Sequence, residues 1–450
     1  MGAVQRTRNG RATPSDQTAG GRAQTRAKQR AFCIAALPQG DDLSELTELL
    51  RTAGVAVVGE AIQHREAPHP NTYLGPGKIE EAKAQIKASG ANVVVADDEL
   101  SPRQGRNLET ALDIPVVDRT ALILDIFASH ANSSEGKLQV ELAQLQYNLA
   151  RMRGLWTHLE RLGGVSSGGF ATRGPGESQI ETDRRLARDR IAALRRRLEE
   201  VKGSRATMRA ERERARLPEV ALVGYTNAGK STLLNQLTGA DVGVRDRLFH
   251  TLDPTTRVLR LHGRPFLLTD TVGFIQKLPH QLVDAFGATL EETRIADLLL
   301  HVVDASVEEE DMLAMVCAVD EVLEDIGAGD RQRLLVLNKA DTLSEERRRE
   351  LGYRHPDGML VSAATGEGLD GLGERVEEEF RRRLQAIDLL MPYAEGGQLA
   401  ELHEIAGELE RTDTPDGVRI KALVPATIAE RYARFAVDGA DADAVTPHPA

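Results

Sequence analysis

The run Gly224-Tyr225-Thr226-Asn227-Ala228-Gly229-Lys230-Ser231 constrains this chain more than any other stretch. It fits G-x-x-x-x-G-K-[ST], a turn that aims successive backbone N–H groups, together with the positive end of a helix, at an anion. The flanks agree with that reading. Val220-Ala221-Leu222-Val223 predicts a buried strand, and Thr232-Leu233-Leu234-Asn235-Gln236-Leu237 predicts the start of a helix. In such a loop Lys230 reaches the β- and γ-phosphates of a nucleotide, and the Ser231 hydroxyl ligates Mg²⁺. Alone, the motif has a bland alternative, since a glycine-rich turn can precede any helix. Four further segments, in order along the chain, remove that alternative.

Phe266-Leu267-Leu268-Thr269 is a second strand-like run, ending at Asp270-Thr271-Val272-Gly273. An acid at a strand end opposite the loop is where a Mg²⁺-organising carboxylate belongs, and Gly273 lets a backbone N–H approach a γ-phosphate. Between the two lies Phe249-His250-Thr251-Leu252-Asp253-Pro254. Thr251 offers a hydroxyl to Mg²⁺ when a γ-phosphate holds this segment in place, and Thr255 and Thr256 are its rivals for that role. Leu334-Leu335-Val336-Leu337 then runs into Asn338-Lys339-Ala340-Asp341. N-K-x-D resembles the guanine-specificity motif of GTPases. An ionised Asp341 only accepts hydrogen bonds, and guanine presents two donors at the spacing of one carboxylate. Adenine lacks the ring N–H and leaves that carboxylate partly unpaired, so the wrong base is rejected. Lys339 is expected along the base plane, and Asn338 is expected to tie its loop to the phosphate loop. Met359-Leu360-Val361 leads to Ser362-Ala363-Ala364, which resembles the last GTPase motif, a backbone N–H behind the guanine O6. The expected site is therefore residues 224–232, 249–253 and 270–273 with Asn338, Lys339, Asp341 and 362–364. It binds GTP, GDP and Mg²⁺. Lys230, Thr251, Asp270 and Gly273 act on the γ-phosphate, and Ser231 and Thr251 hold the metal. One departure bears on mechanism. Many GTPases place a water-orienting glutamine after the D-x-x-G glycine. Here Phe274 stands there, which predicts slow hydrolysis until a partner supplies or orders the missing group.

The chain has 450 residues, room for about three domains at ordinary size. Its two cysteines, Cys33 and Cys317, both lie in apolar surroundings. They argue against a disulfide framework or a cysteine-based zinc site and fit a reducing cytoplasm. No run approaches the roughly 18 apolar residues that span a bilayer, so no integral membrane contact is expected. The apolar run 31–37 is too short for a signal segment and reads as a strand. The net charge of −12 is unevenly spread. Residues 1–217 carry 33 Lys+Arg against 27 Asp+Glu, and the rest carries 24 against 42. Either the N-terminal half faces a polyanion or its charges are a solvated helix surface.

Along the chain, residues 1–30 are polar and expected to be disordered. Residues 31–118 alternate strands (31–36, 55–59, 93–96, 114–117) with helices (41–51, 79–88, 102–112), which predicts a small sheet with helices packed on it. The turn 71–78 is glycine-rich and precedes a helix, which suits an anion, but it reads first as a plain turn. Residues 119–217 come next as a helical region. Leu138, Leu142, Leu145, Leu149, Met152 and Trp156 step by four and three, and so do Ala187, Ile191, Leu194, Leu198, Val201 and, after Arg205, Met208. Both series match an a/d seam, and the glycine-rich connection 163–176 cannot be helical. The prediction is an antiparallel coiled-coil hairpin whose second arm opens with a Ser178-x-x-Glu181 capping box. That arm is dense in arginine (Arg184, Arg185, Arg188, Arg190, Arg195-Arg196-Arg197), which suits phosphates and equally suits an intrahelical ion-pair ladder. The nucleotide domain spans 218–383, a small α/β module 384–437, and a disordered tail 438–450.

The combination resembles the HflX family of ribosome-associated GTPases, near the Obg-like branch. The resemblance rests on His69-Pro70-Asn71-Thr72-Tyr73, Asp98-Glu99-Leu100-Ser101-Pro102, Gly136-Lys137-Leu138-Gln139-Val140-Glu141-Leu142, and Arg173-Gly174-Pro175-Gly176-Glu177 leading to Glu181-Thr182-Asp183-Arg184-Arg185. It covers roughly residues 31–435. It implies a GTPase that binds the large ribosomal subunit, with the hairpin and its loop reaching toward the peptidyl-transferase region. It also implies a role in splitting or rescuing stalled ribosomes under heat stress. The loop 166–172 is less basic and less glycine-dense than the family form. Some family members also bind ATP through the N-terminal domain, where this sequence has no Walker-type site. A monomer is expected. Two other classes fit parts of the sequence: an ATP-dependent RNA remodelling enzyme acting through the N-terminal domain, and a coiled-coil regulatory scaffold.

Overall fold

The fold was read from a computed structural model that describes residues 29–40, 42–151, 179–215, 217–240, 248–249, 252–261, 263–277, 287–382, 384–406 and 409–437. Residues 1–28 and 438–450 of the expected tails, the 163–176 loop, Met152, Trp156, the Ser178 cap, His250 and Thr251 lie outside the described residues. Contacts divide the chain into two units. Unit 1 comprises Met1–Leu198, Asp246–His250 and Lys277–Ala285, and unit 2 comprises Glu199–Arg245, Thr251–Gln276 and Phe286–Ala450.

Unit 1 is built on a parallel sheet of β1 (Arg30–Leu37), β2 (Ala56–His64), β3 (Val93–Ala96) and β4 (Val116–Asp118), in the order β2-β1-β3-β4. The strands alternate with helices α1 (Ser44–Ala53), α2 (Pro76–Ser89) and α3 (Pro102–Leu112). β1 is buried along seven of its eight residues, as a central parallel strand covered on both faces must be. One face packs Phe32, Ile34, Val94 and Ala96 against Ile79, Ala82, Ile86, Leu108 and Leu112. α3 begins where the sequence predicts. Pro102 fills the first turn, and Ser101 and Gln104 bond each other's backbone in a capping box. Within the helical region expected over 119–217 the structure has α4 (Arg119–His130), a helix ahead of the predicted seam, capped by Asp118 and packed against α1. α5 (Ser134–Arg151) and the first part of α6 (Gln179–Ala215) join through Leu138, Leu142, Leu145, Leu149, Ile191, Leu194 and Leu198, the predicted seam residues. Arg190 clasps Glu141 across them.

Cys33 sits inside β1, where burial, with Glu60 and Asp97 nearby, pushes its thiol up to about 12. Cys317, expected among apolar neighbours, is exposed. The reason is helical geometry: it falls on the solvent side of a helix that buries Met312, Val319 and Val322.

Unit 2 carries a six-stranded sheet in the order β10-β9-β8-β5-β7-β6. Its strands are β5 (Glu219–Gly224), β6 (Thr255–Leu261), β7 (Arg264–Asp270), β8 (Leu298–Asp304), β9 (Arg333–Asn338) and β10 (Met359–Leu360). All pairs are parallel except β6 with β7. Helices α7 (Lys230–Thr238), α8 (Gly287–Ile295), α9 (Glu309–Asp325), α10 (Glu345–Arg354) and α11 (Leu369–Arg381) connect them. Val220, Leu222, Leu268, Leu298, Leu300, Val302 and Val336 form the centre of the core with Leu233, Leu234, Leu372 and Phe380 from the helices. A C-terminal antiparallel sheet comes last, ordered β11 (Leu384–Met391), β13 (Gly417–Pro425), β12 (Leu409–Thr414). It packs Leu389, Ile420 and Val424 on Leu402 of α12 (Gly396–Ala406) and Ile428 and Tyr432 of α13 (Ala426–Tyr432).

Candidate nucleotide site

The site lies in unit 2, at the carboxyl ends of β5, β7 and β9. β5 is central, so the turn leaving it is fixed by neighbours on both sides. Gly224 has φ 149°, and a Cβ there would stand 2.1 Å from the Val302 carbonyl oxygen of β8. Gly229 has φ 95°, and its Cβ would meet Asn338 Nδ2 at 2.2 Å. Both positions require glycine. Between them Asn227 also takes positive φ, and Ala228 is buried.

Lys230 opens α7 and is 6% exposed. Its Nζ donates to the carbonyls of Gly224 (2.9 Å) and Tyr225 (2.7 Å), so the ammonium is folded back along the loop. Burial lowers its pKa to about 8, with the Asp270 charge pulling the other way. The Ser231 hydroxyl donates to Asp270 Oδ2 at 2.5 Å, and Asp270 is fully buried at the end of β7. A hydroxyl and a carboxylate side by side are hard oxygen donors, which is the chemistry Mg²⁺ takes alongside phosphate oxygens. Thr232 is half-buried in the first turn of α7.

The chain after Asp270 is pressed onto the phosphate loop. The Thr271 hydroxyl donates to the Leu222 carbonyl at 2.7 Å, and Val272 is buried. A Cβ on Gly273 would meet Thr226 Cγ2 at 2.7 Å and Lys230 Nζ at 3.1 Å. Phe274 N–H donates to the Gly224 carbonyl (3.1 Å), and the Phe274 carbonyl accepts from Thr226 N–H (2.8 Å). The Tyr225 hydroxyl accepts from Gln276 N–H at 2.8 Å. The Phe274 side chain is completely buried.

Asn338 ties the N-K-x-D loop to the loop 224–231. Asn338 is 2% exposed. Its Nδ2 donates to the Ala228 carbonyl (2.8 Å), and its Oδ1 accepts from Ala363 N–H (2.9 Å). Lys339 has positive φ, and its Nζ pairs with Asp304 Oδ2 at 2.5 Å. Asp341 Oδ1 accepts the Ser362 hydroxyl proton at 2.5 Å, and Ala340 N–H donates to the Val361 carbonyl. Asp341 and Ala364 are exposed.

Of the segment 249–253, Leu252 is buried and Asp253 half-buried in unit 2. Phe249 belongs to unit 1, where its ring meets Phe127 edge-on at 4.5 Å and Leu248 N–H bonds Thr52. Sequence reasoning missed three supports. Asp304 aligns Lys339, Arg348 donates to the Ala340 carbonyl, and Glu367 pairs with Arg348. A signal existed only for Asp304, an acid closing the apolar run 298–303 at a strand end.

A mostly parallel sheet that carries G-x-x-x-x-G-K-S at the end of one strand and N-K-x-D at the end of another two strands away is the framework of a P-loop GTPase; this chain binds GTP and GDP and hydrolyses GTP. Sequence comparison is more specific. Three families match in succession: GTP-binding GTPase N-terminal over residues 40–128, GTP-binding GTPase Middle Region over 130–212, and 50S ribosome-binding GTPase over 219–339. A GTPase HflX of Lacrimispora saccharolytica is 48% identical over 417 residues, 91% of this chain and 96% of that protein. The GTPase HflX of Escherichia coli is 45% identical over 392 residues, covering 86% and 90%. A solved GTP-binding protein from the archaeon Sulfolobus solfataricus, in complex with GDP, aligns at 25% identity with a TM-score of 0.41 over 78% of this chain and 98% of that one. The chain belongs to the GTPase HflX family. No helix among the described residues is long and apolar enough to cross a membrane.

Proposed function

We propose that this GTPase binds the large ribosomal subunit in its GTP form, leaves after hydrolysis, and by that cycle splits or rescues stalled ribosomes under stress. The domain limits 31–118, 119–217, 218–383 and 384–437 and the site residues named from the sequence belong to this proposal. Its main support is the Asn338 bridge, because one buried amide makes the base loop, the phosphate loop and the 362–364 loop a single unit. GTP is gripped by the N–H groups of 225–231 and by Lys230. Asp341 accepts from the guanine N1–H and amine, with Lys339 along the ring and the 362–364 backbone behind O6. Ser231 and Thr251 would hold Mg²⁺, with Asp270 orienting the Ser231 hydroxyl, and the ion would supply positive charge against the phosphates. Gly273 N–H marks the presence of the γ-phosphate. Phe274 is buried and apolar, so the free chain lacks a side chain to orient water there, and hydrolysis is slow until the ribosome completes the site. The arginine-rich arm of α6 supports contact with a polyanion. The family description naming 50S binding points to the same partner.

Co-sedimentation with ribosomal subunits tests this reading. A non-hydrolysable GTP analogue should carry the chain down with the large subunit, GDP should not, and ATP should not substitute. Absence of any nucleotide-dependent pelleting would refute it and leave the scaffold reading.

A further inference from the structure

Ala340 stands between Lys339 and Asp341, and its peptide groups are held on both sides. Its N–H donates to the Val361 carbonyl at 3.0 Å, and its carbonyl accepts from Leu343 N–H at 3.1 Å and from Arg348 Nη2 at 2.7 Å. Arg348 comes from α10, and the same guanidinium forks onto Glu367, with Nη1 on Oε1 at 2.5 Å and Nη2 on Oε2 at 3.1 Å. A planar fork on a carboxylate fixes direction as well as distance.

Glu367 belongs to the turn that follows Ser362. Its carbonyl accepts from Ser362 N–H at 2.9 Å, the Ser362 carbonyl accepts from Gly366 N–H at 2.9 Å, and the Ser362 hydroxyl oxygen accepts from Thr365 N–H at 3.1 Å. That same hydroxyl donates to Asp341 Oδ1. Arg348 therefore closes a circuit that runs from Ala340 through Glu367 and Ser362 back to Asp341, all of it inside unit 2. The loop needs such ties. Lys339 takes φ 67°, costly for a residue with a Cβ, and a single 3-10 turn, Ala340–Thr342, follows it. The Arg348 side chain is 25% exposed and that of Glu367 46%, so replacing either cuts the tie without hollowing out the core.

We infer that Arg348 is a positioning residue that sets guanine specificity: by joining the Ala340 carbonyl to Glu367 it holds the Asp341 carboxylate where both purine donors, the ring N–H and the exocyclic amine, can reach it. The inference rests on Asp341 reading the base, as proposed above. A carboxylate that is free to tilt keeps one donor and loses the other. Loosening Arg348 thus costs discrimination between purines as well as affinity.

The experiment is displacement of a fluorescent GDP analogue from the full chain by GDP and by inosine diphosphate, which lacks the exocyclic amine. Arg348→Met should lower GDP affinity about ten-fold and inosine diphosphate affinity about three-fold or less, so that the preference for GDP narrows about three-fold or more. Weakened folding alone would lower both affinities equally and leave their ratio unchanged. Glu367→Gln should narrow the ratio in the same direction, and Arg348→Lys, which keeps a donor but cannot fork, should fall between Arg348→Met and the parent. The double variant Arg348→Met/Glu367→Gln should be no less selective than Arg348→Met, because both changes break one tie. An unchanged ratio in Arg348→Met or in Glu367→Gln, or additive losses in the double variant, would overturn the inference. Asp341→Asn in the same assay tests the base reading separately. A lost preference there with an unchanged ratio in Arg348→Met overturns the role of Arg348 alone, whereas an unchanged ratio in Asp341→Asn overturns the base reading and this inference with it.

Discussion

Asn338 is the most informative single perturbation. The side chain is almost fully buried and makes two hydrogen bonds, one to the Ala228 carbonyl and one from Ala363 N–H. Asn338→Ala leaves both backbone groups buried without that partner, at about 1–2 kcal/mol each. It also opens a small void beside Gly229, since the Asn338 amide stands 2.2 Å from where a Gly229 Cβ would be. The expected loss is about 2–4 kcal/mol for the loop arrangement. Guanine nucleotide needs all three loops in register, so this cost falls on binding. At about 1.4 kcal/mol per decade, GDP affinity should fall about 30- to 700-fold. Asn338→Asp keeps the acceptor for Ala363 but sets an oxygen against the Ala228 carbonyl, so it should bind no better than Asn338→Ala. The assay is titration of a fluorescent GDP analogue, with calorimetric melting of both variants. An Asn338→Ala protein that binds GDP within about three-fold of the parent would refute the claim that this amide holds the loops in register.

Asp341→Asn keeps an acceptor for the Ser362 hydroxyl but turns one guanine acceptor into a donor; GDP affinity should drop by about two orders of magnitude and xanthosine diphosphate should bind better than GDP. An unchanged ratio of the two affinities would show that Asp341 does not read the base. Gly224→Ala should be far more damaging than Gly239→Ala, because the first drives a methyl to 2.1 Å from Val302 O while nothing stands within 4 Å at the second. Comparative melting checks this, with Gly239→Ala costing about 1 kcal/mol for its positive φ. His301 is buried in β8, its Nε2 has no hydrogen-bond partner among the described residues, and burial lowers its pKa from 6.5 to about 4, with Asp320 opposing. The unfolded chain therefore takes a proton that the folded chain refuses. Stability is full above about pH 6.5 and falls as pH drops toward 4, by about 2 kcal/mol between pH 7 and 5. Urea unfolding at the two pH values should show that loss in the parent and not in His301→Leu; equal slopes in both would sink the assignment.

Much of the chain was legible because its signals are local. β3 and α3 have the residues expected of them, since four consecutive apolar residues and a Ser-Pro-x-Gln start are complete within one segment. β6 and β12 were not legible. β6 alternates weakly, and β12 is Leu-Glu-Arg-Thr-Asp-Thr, which no propensity favours as a strand. Each exists because a neighbouring strand offers its free edge. α4 lies in the region expected to be helical, but its own bounds were not legible because it is buried around most of its circumference and has no polar face to set a period.

The amino-acid order alone determined which chemistry the chain can perform. Glycines where only a bare backbone fits, a lysine and serine after them, and an acid spaced for a purine edge are properties of short segments, and so is the exclusion of a polar group at 274. Tertiary structure decided what holds those segments to one another. Asn338 reaching Ala228 across 110 positions and Asp304 steering Lys339 each join residues far apart in the chain. Partners of that kind are chosen by strand order and by the burial that makes an unpaired polar group costly, and neither is encoded in any one window of sequence.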